Sequence, residues 1–277
     1  MKRIDINDWN ENGGGYFGKS YFHKTDSTLL LKMMTEGFPS DVIEEECRLA
    51  HIVYGMGIPT PRPGDLVTDG SRFGMIYERM PEKLSFAKAV GLYPERIPEL
   101  ALMFASMVKQ LHSTPCSTEC PPVKKLWADC IRQNTFRSEA MKSRAIDMLY
   151  SIPDADTCLH GDLHFGNAIL SRGKGYFIDL GGFCSGYPLL DMGMMMGILH
   201  FGKAFPDFFF NSYHCTVEQG TEFWHCFLKS YFGPDVDIDA KEKELMPCLA
   251  LRQISVEPSM GKPLPDEDCA EPFKLFG

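Results

Sequence analysis

Two carboxylates and an amide fall within eighteen residues near the middle of the chain. The run His160-Gly161-Asp162-Leu163-His164-Phe165-Gly166-Asn167 is followed by Phe177-Ile178-Asp179-Leu180-Gly181, with apolar stretches and glycines around both. Phosphoryl transfer asks for such a set. One carboxylate orients an attacking hydroxyl, and further oxygen atoms hold the Mg²⁺ that bridges the nucleotide phosphates. Asn167 stands five residues after Asp162, far enough along a loop for one to face the nucleophile and the other the metal. Asp179 ends an apolar strand and can reach the metal from the opposite side. A transition-metal site through His160, Asp162 and His164 is the competing chemistry, since imidazole and carboxylate suit zinc or manganese. A metallophosphoesterase would need later GDxxD and GNH-type clusters, and only His200, His214 and His225 follow, none in that context.

The stretch HGDLHFGN resembles the HGDxHxxN catalytic loop of the aminoglycoside phosphotransferase and choline kinase group, which shares the protein-kinase fold. Asp179-Leu180-Gly181 is similar to that group's metal-binding element, and Asp191 matches the downstream aspartate that braces the loop. The resemblance implies Asp162 as catalytic base and Asn167 with Asp179 as Mg²⁺ ligands. His160 and Gly161 shape the loop, and His164 orients or packs. Upstream, Lys32 fits the strand lysine that contacts phosphates, Glu46 its helix partner, and Tyr77 to Met80, including Glu78, the hinge whose backbone holds adenine. Glu46 is preferred over Glu44 and Glu45 because Leu49, Ala50 and Val53 continue its side of a helix. ATP or GTP would be the donor and a small hydroxyl compound the acceptor. The likeness covers about residues 10 to 200 and is specific over 160–191.

The elements that must position these residues fall into two regions. The first eighty residues are strand-rich: two short apolar runs around a polar turn at Asp26, then a helix from about Ser40 that Gly55 and Gly57 end. DLVTD and FGMIYERM then bracket a turn at Asp69-Gly70 as a second hairpin. Beyond Pro81 the periodicity is helical. Positions 97, 100, 101, 104, 107, 108 and 111 trace one apolar face, and a second long helix is expected over about 123–150. After Pro188 helices return, separated by Pro206, Gly233-Pro234 and Pro258. The expected architecture is α+β, a two-lobe protein-kinase-like fold with a small β-rich N-lobe (1–80) and a larger, mostly helical C-lobe (81–277).

Gly13, Gly15 and Gly18 satisfy GxGxxG, while Gly13 to Ser20 also spell GxxxxGKS, the phosphate-loop signature. A phosphate loop follows a buried strand and opens a helix. DINDWNEN is too polar for that strand, and the residues after Ser20 favour strand and turn, so a hairpin lid over the phosphates is expected instead of a phosphate-loop NTPase. A ligand-free structural turn is the plainer alternative. A non-catalytic nucleotide-binding module of the same fold has no chemical need for the intact set of Asp162, Asn167 and Asp179. A protein kinase would carry a lysine or arginine where His164 stands.

The 277 residues hold 28 basic and 37 acidic side chains, a net charge of −9. No basic cluster suits nucleic acid, and no apolar run is long enough for a membrane span. With a polar start, the expected location is the cytoplasm. The ten cysteines contain no CxxC pair, so free thiols are expected, and a zinc site through Cys116 and Cys120 lacks a second ligand pair. After residue 200, seven basic and thirteen acidic residues accompany Phe205, Phe208, Phe209, Phe210, Phe223, Trp224 and Tyr231. Such a surface suits a cationic amine or aminoglycoside acceptor, and the plainer reading makes the aromatics core and the acids solvated helix faces. His112 is read as a capping or core histidine and the methionines of DMGMMMG as core. The acidic, proline-containing tail from Pro258 is read as mobile.

Overall fold

Period-two alternation along Leu29–Met34 puts Leu31 and Met33 on one face of a strand and Lys32 on the other. In the computed structural model, which describes residues 1–14, 18–265 and 271–277, that strand sits inside a six-stranded sheet. The strands are β1 (Lys2–Arg3), β2 (Trp9–Gly14), β3 (Gly18–His23), β4 (Leu29–Met34), β5 (Pro63–Thr68) and β6 (Phe73–Glu78), in the order β1-β5-β6-β4-β3-β2. β1 and β5 run parallel and the other neighbours antiparallel. Leu31 and Met33 join Trp9, Tyr21 and Val67 in a core on one face. Helix α1 (Ser40–Gly55) buries Ile43, Glu46, Leu49, Ala50 and Val53, and ends as expected at Gly55 with Gly57 left-handed.

The chain forms two compact units. One is Met1–Lys83 with Ile169–Gly182, and the other is Leu84–Ala168 with Phe183–Gly277. A single linear cut near residue 81 therefore misplaces one segment: residues 169–182, including Asp179, belong to the first unit. Phe177 N donates to Pro59 O at 2.8 Å and Ser171 Oγ to Pro81 O at 2.6 Å, so the segment is tied to that unit's own backbone.

The second unit is mainly helical: α2 (Phe86–Leu92), α3 (Ile97–Ser113), α4 (Val123–Gln133), α5 (Glu139–Ser151), α6 (Leu189–Ala204), α7 (Pro206–Tyr213), α8 (Val217–Phe232) and α9 (Ile238–Met260). Helix α3 packs on α8 and α6 on α9. The face of α3 read from the sequence is the buried one, apart from half-buried Met107. Phe104 meets Phe86, Phe223 and Phe227 at ring-centroid distances of 5.4, 5.7 and 5.6 Å. Met192, Met195 and Met196 are core.

Three expectations are corrected. The helix over 123–150 is two helices, because Asn134 turns its side chain onto the backbone and accepts from Phe136 N at 2.8 Å. The amide nitrogen of Asn134 meanwhile bonds Ile254 O and Glu257, and Ser138 caps α5. Pro258 does not end a helix: α9 runs through it to Met260 and stops at left-handed Gly261. The tail is anchored at its end. Phe273 and Phe276 are buried in the core, and Arg144 donates to the carbonyls of Phe276 and Gly277. Asp266, Glu267 and Asp268 lie outside the described residues.

Candidate active site

In the first unit, Lys32 is centred between two carboxylates. Its Nζ lies 2.8 Å from Glu46 Oε1 and 2.7 Å from Asp179 Oδ1. Burial alone would drive the ammonium's pKa down, but Asp179 and Glu46 outweigh it and push the pKa up, so Lys32 is a fixed cation. Glu46 is buried, while Glu45 pairs with Arg48 and Glu44 is exposed. Tyr77 lies opposite Leu30, two residues from Lys32 and on the same face of the sheet, and its hydroxyl donates to Glu46 Oε1 at 3.4 Å. Asp179 itself has φ +58. That left-handed backbone costs a non-glycine residue on the order of 1 kcal/mol and turns its carboxylate toward Lys32.

The glycine-rich strands form the expected hairpin. β2 pairs antiparallel with β3, and Lys19 and Ser20 sit opposite Met33 and Lys32 on β4. The GKS residues thus occupy a strand and not a helix start, which removes the phosphate-loop geometry. Gly18 has a packing reason: a Cβ there would come within 2.4 Å of Met33 O. Gly13 lies in β2 in open space, and Gly15 lies outside the described residues. Glu78 closes β6 and is exposed, its amide donating to Arg62 O at 2.9 Å; Arg79 N donates to Thr28 O at 2.7 Å, and half-buried Met80 follows.

In the second unit, the loop carrying Asp162 is held from below. Leu163 and Phe165 are buried, while Asp162 and His164, which alternate with them, are partly exposed. Phe165 stacks on Tyr213 at 5.4 Å and meets Phe223 at 5.3 Å. Asp191, in the first turn of α6, accepts from His160 N at 2.7 Å and from Gly161 N at 2.8 Å. Gly161 adopts φ +78, which its lack of a side chain permits. His112 completes the brace: Nε2 lies 3.2 Å from Asp191 Oδ2 and Nδ1 2.9 Å from the Tyr231 hydroxyl. The core reading of His112 is right, but sequence reasoning missed that it positions Asp191.

Asp162 is held on both oxygens. Asn167 Nδ2 donates to Oδ2 at 3.0 Å, and Arg252 Nη2 on α9 donates to Oδ1 at 3.1 Å. Burial would raise the carboxyl's pKa, yet His164, Arg252 and His160 together hold it below its ordinary value. His164 Nδ1 accepts from Gly166 N at 3.0 Å, leaving the proton on Nε2, which lies 3.9 Å from Asp162 Oδ2. Arg252 was not singled out from the sequence. An isolated arginine ninety residues beyond Asp162, inside a long helix, carries no local signal.

Among the described residues, no group of three or more His, Cys, Asp and Glu side chains is arranged to hold a metal. The zinc readings at His160–His164 and at Cys116 with Cys120 therefore have no geometric support among those residues. Mg²⁺ is different, since it takes one or two protein oxygens and fills its shell with water and phosphate. Asp179 and the amide oxygen of Asn167 are donors of that kind. No helix among the described residues is long and apolar enough to cross a membrane.

A family model described as the phosphotransferase enzyme family matches residues 8–224. The chain belongs to that family. The match spans the lysine strand, the Asp162 loop and the Asp191 brace. Among solved structures, an amicoumacin kinase in complex with AMP-PNP, Ca²⁺ and Ami is similar at 16% identity and TM-score 0.57, over 100% of this chain and 89% of that one. A thermostable mutant of aminoglycoside phosphotransferase APH(4)-Ia is similar at 13% identity and TM-score 0.60, over 97% and 92%. A choline/ethanolamine kinase family protein from Mesorhizobium loti is similar at 12% identity and TM-score 0.59, over 97% and 86%. At these identities the likeness shows the fold, which is kinase-like, with a β-sheet N-terminal region and a helical C-terminal region. No curated protein sequence matches the chain.

Proposed function

We propose that the protein moves the γ-phosphoryl group of ATP or GTP to a hydroxyl of a small molecule. The observation that carries the reading is Asp162: an ionised carboxylate, one-third exposed, held by Asn167 on a loop that Asp191 braces through two backbone amides. Such a group orients an acceptor hydroxyl and takes its proton as the bond to phosphorus forms. Lys32, kept charged by Glu46 and Asp179, supplies a positive charge for the nucleotide phosphates. Asn167 spends its amide nitrogen on Asp162, which leaves its amide oxygen, with Asp179, for the metal. Mg²⁺, when bound, neutralises charge on the phosphates. With the amides of Glu78 and Arg79 engaged, we assign adenine recognition in the 77–80 stretch to Met80 and the lid over the phosphates to the β2–β3 hairpin with Gly13, Gly15 and Gly18. The AMP-PNP and ADP complexes of similar structures favour an adenine nucleotide as donor.

A coupled ADP-release assay across hydroxylated amines, sugars and hydroxy acids tests the reading. At least one acceptor class should stimulate release, and Asp162→Ala should abolish the stimulation while Mg·ATP still binds. Undiminished turnover in Asp162→Ala would reject Asp162 as the base.

A further inference from the structure

Arg252 brings a cation to the oxygen-bearing side chain where the acceptor must sit. Its Nη2 lies 3.1 Å from Asp162 Oδ1, and its side chain is only 17% exposed. The guanidinium carries five donors in a fixed fork, and Nε is a buried atom with no hydrogen-bond partner among the described residues. The other groups around Asp162 are donors as well. They include the amide nitrogen of Asn167, the Nε2 proton of His164 and the hydroxyl of Tyr213, whose pKa is pushed up by burial and then by the nearby Asp162 charge.

Four of the acidic side chains on α9 and its N-cap are engaged in holding the fold. Asp237 caps α9 through Ala240 N at 3.0 Å, Glu242 accepts from Trp224 Nε1 at 2.8 Å, Glu244 pairs with Lys241, and Glu257 pairs with Arg137. Of the aromatic residues, Phe209, Phe223 and Trp224 are core. An amine beside the reacting hydroxyl would meet the Arg252 cation, and the neighbouring Asp162 carboxylate is already shared with it.

We propose that Arg252 selects the acceptor: the site takes a hydroxyl compound bearing a carboxylate or other small anion near the reacting hydroxyl, and the fork of Arg252 binds that anion while Asp162 orients the hydroxyl. The anion supplies the acceptor oxygens that the guanidinium's spare donors lack, in the planar geometry that arginine matches better than lysine. This inference rests on the phosphotransferase reading above and narrows its substrate.

The test uses the full chain and an isoskeletal set in which only one group changes: glycerate, glycerol and 3-amino-1,2-propanediol, with glucuronate, glucose and 6-amino-6-deoxyglucose as a larger set. ADP release is measured for wild type, Arg252→Gln and Arg252→Lys, with circular dichroism melts to check folding. In wild type, kcat/KM should be highest for the carboxylate member, by about tenfold or more, and lowest for the amine. In Arg252→Gln the carboxylate-to-neutral ratio should collapse at least about tenfold, chiefly through KM. Arg252→Lys should restore part of it by keeping the charge. A wild-type preference for the amine, or a loss in Arg252→Gln equal for all three members, would overturn the inference. So would a panel on which nothing releases ADP although Mg·ATP raises the Tm. If Mg·ATP neither shifts the Tm nor is hydrolysed with any compound, it is the phosphotransferase reading itself that fails.

Discussion

Removing the Asp191 carboxylate should loosen the catalytic loop by an amount that the hydrogen bonds themselves set. Asp191 is 2% exposed and accepts from two backbone amides, His160 N and Gly161 N, with His112 Nε2 as a third neighbour. Orphaning a buried donor costs about 1–3 kcal/mol. Asp191→Ala orphans both amides, so the loss is about 2–6 kcal/mol before relaxation, or roughly thirtyfold to twenty-thousandfold in a local opening constant. Asp191→Asn keeps one acceptor oxygen and sets an NH₂ against the other donor, so about half of that loss is expected. Hydrogen exchange followed by mass spectrometry on a peptide through His160–Asp162 reads the effect directly. Exchange at His160 and Gly161 should accelerate in the order wild type, Asn, Ala, and acceptor-dependent ADP release should fall in the same order. Exchange within about threefold of wild type in Asp191→Ala would refute the reasoning, because amides freed of a buried acceptor cannot stay equally protected.

Three further outcomes follow from the same geometry. Lys32→Met deletes the cation between Glu46 and Asp179, so Mg·ATP affinity measured by calorimetry should drop about tenfold or more; unchanged affinity would remove Lys32 from the phosphate site. The pKa of Asp162 is held below the ordinary carboxyl value, so the group stays ionised through the neutral range and contributes no acid limb to the rate there. Arg252→Gln removes an opposing charge, leaves burial to raise that pKa, and should bring in a limb on which activity falls as pH falls. Glu257→Ala strands the buried Arg137 and the Asn134 amide, and urea unfolding followed by Trp127 fluorescence should show a loss of about 3 kcal/mol or more. A loss below about 1 kcal/mol would mean that this network does not fasten α9.

What the sequence made legible had a local cause. The face of α3 follows from its spacing, and Glu46 could be chosen over its two acidic neighbours because Leu49, Ala50 and Val53 lie on its side of α1. The Asp162 loop is readable because Asp162, Asn167 and the HGDxHxxN-like run lie within eight consecutive residues, while the burial of Leu163 and Phe165 that anchors it came only with the structure. The missed features depend on distant partners. Asn134 breaks a helical pattern only because Ile254 and Glu257 receive its amide 120 and 123 residues away. Pro258 looks like a helix stop, yet Glu257, buried against Arg137 and Asn134, keeps the chain helical to Gly261. Residues 169–182 return to the first unit through bonds to Pro59 and Pro81. Arg252 is invisible until α9 is laid beside the Asp162 loop.

We propose that Lys32, Asp162, Asn167 and Asp179 serve one nucleotide-dependent transfer. Calorimetric titration with AMP-PNP, with and without Mg²⁺, on wild type and Asp179→Ala tests it most directly. Binding should be strong with Mg²⁺ in wild type and should weaken markedly both without the ion and in Asp179→Ala. An absence of binding, or binding indifferent to Mg²⁺ and to residue 179, would contradict it.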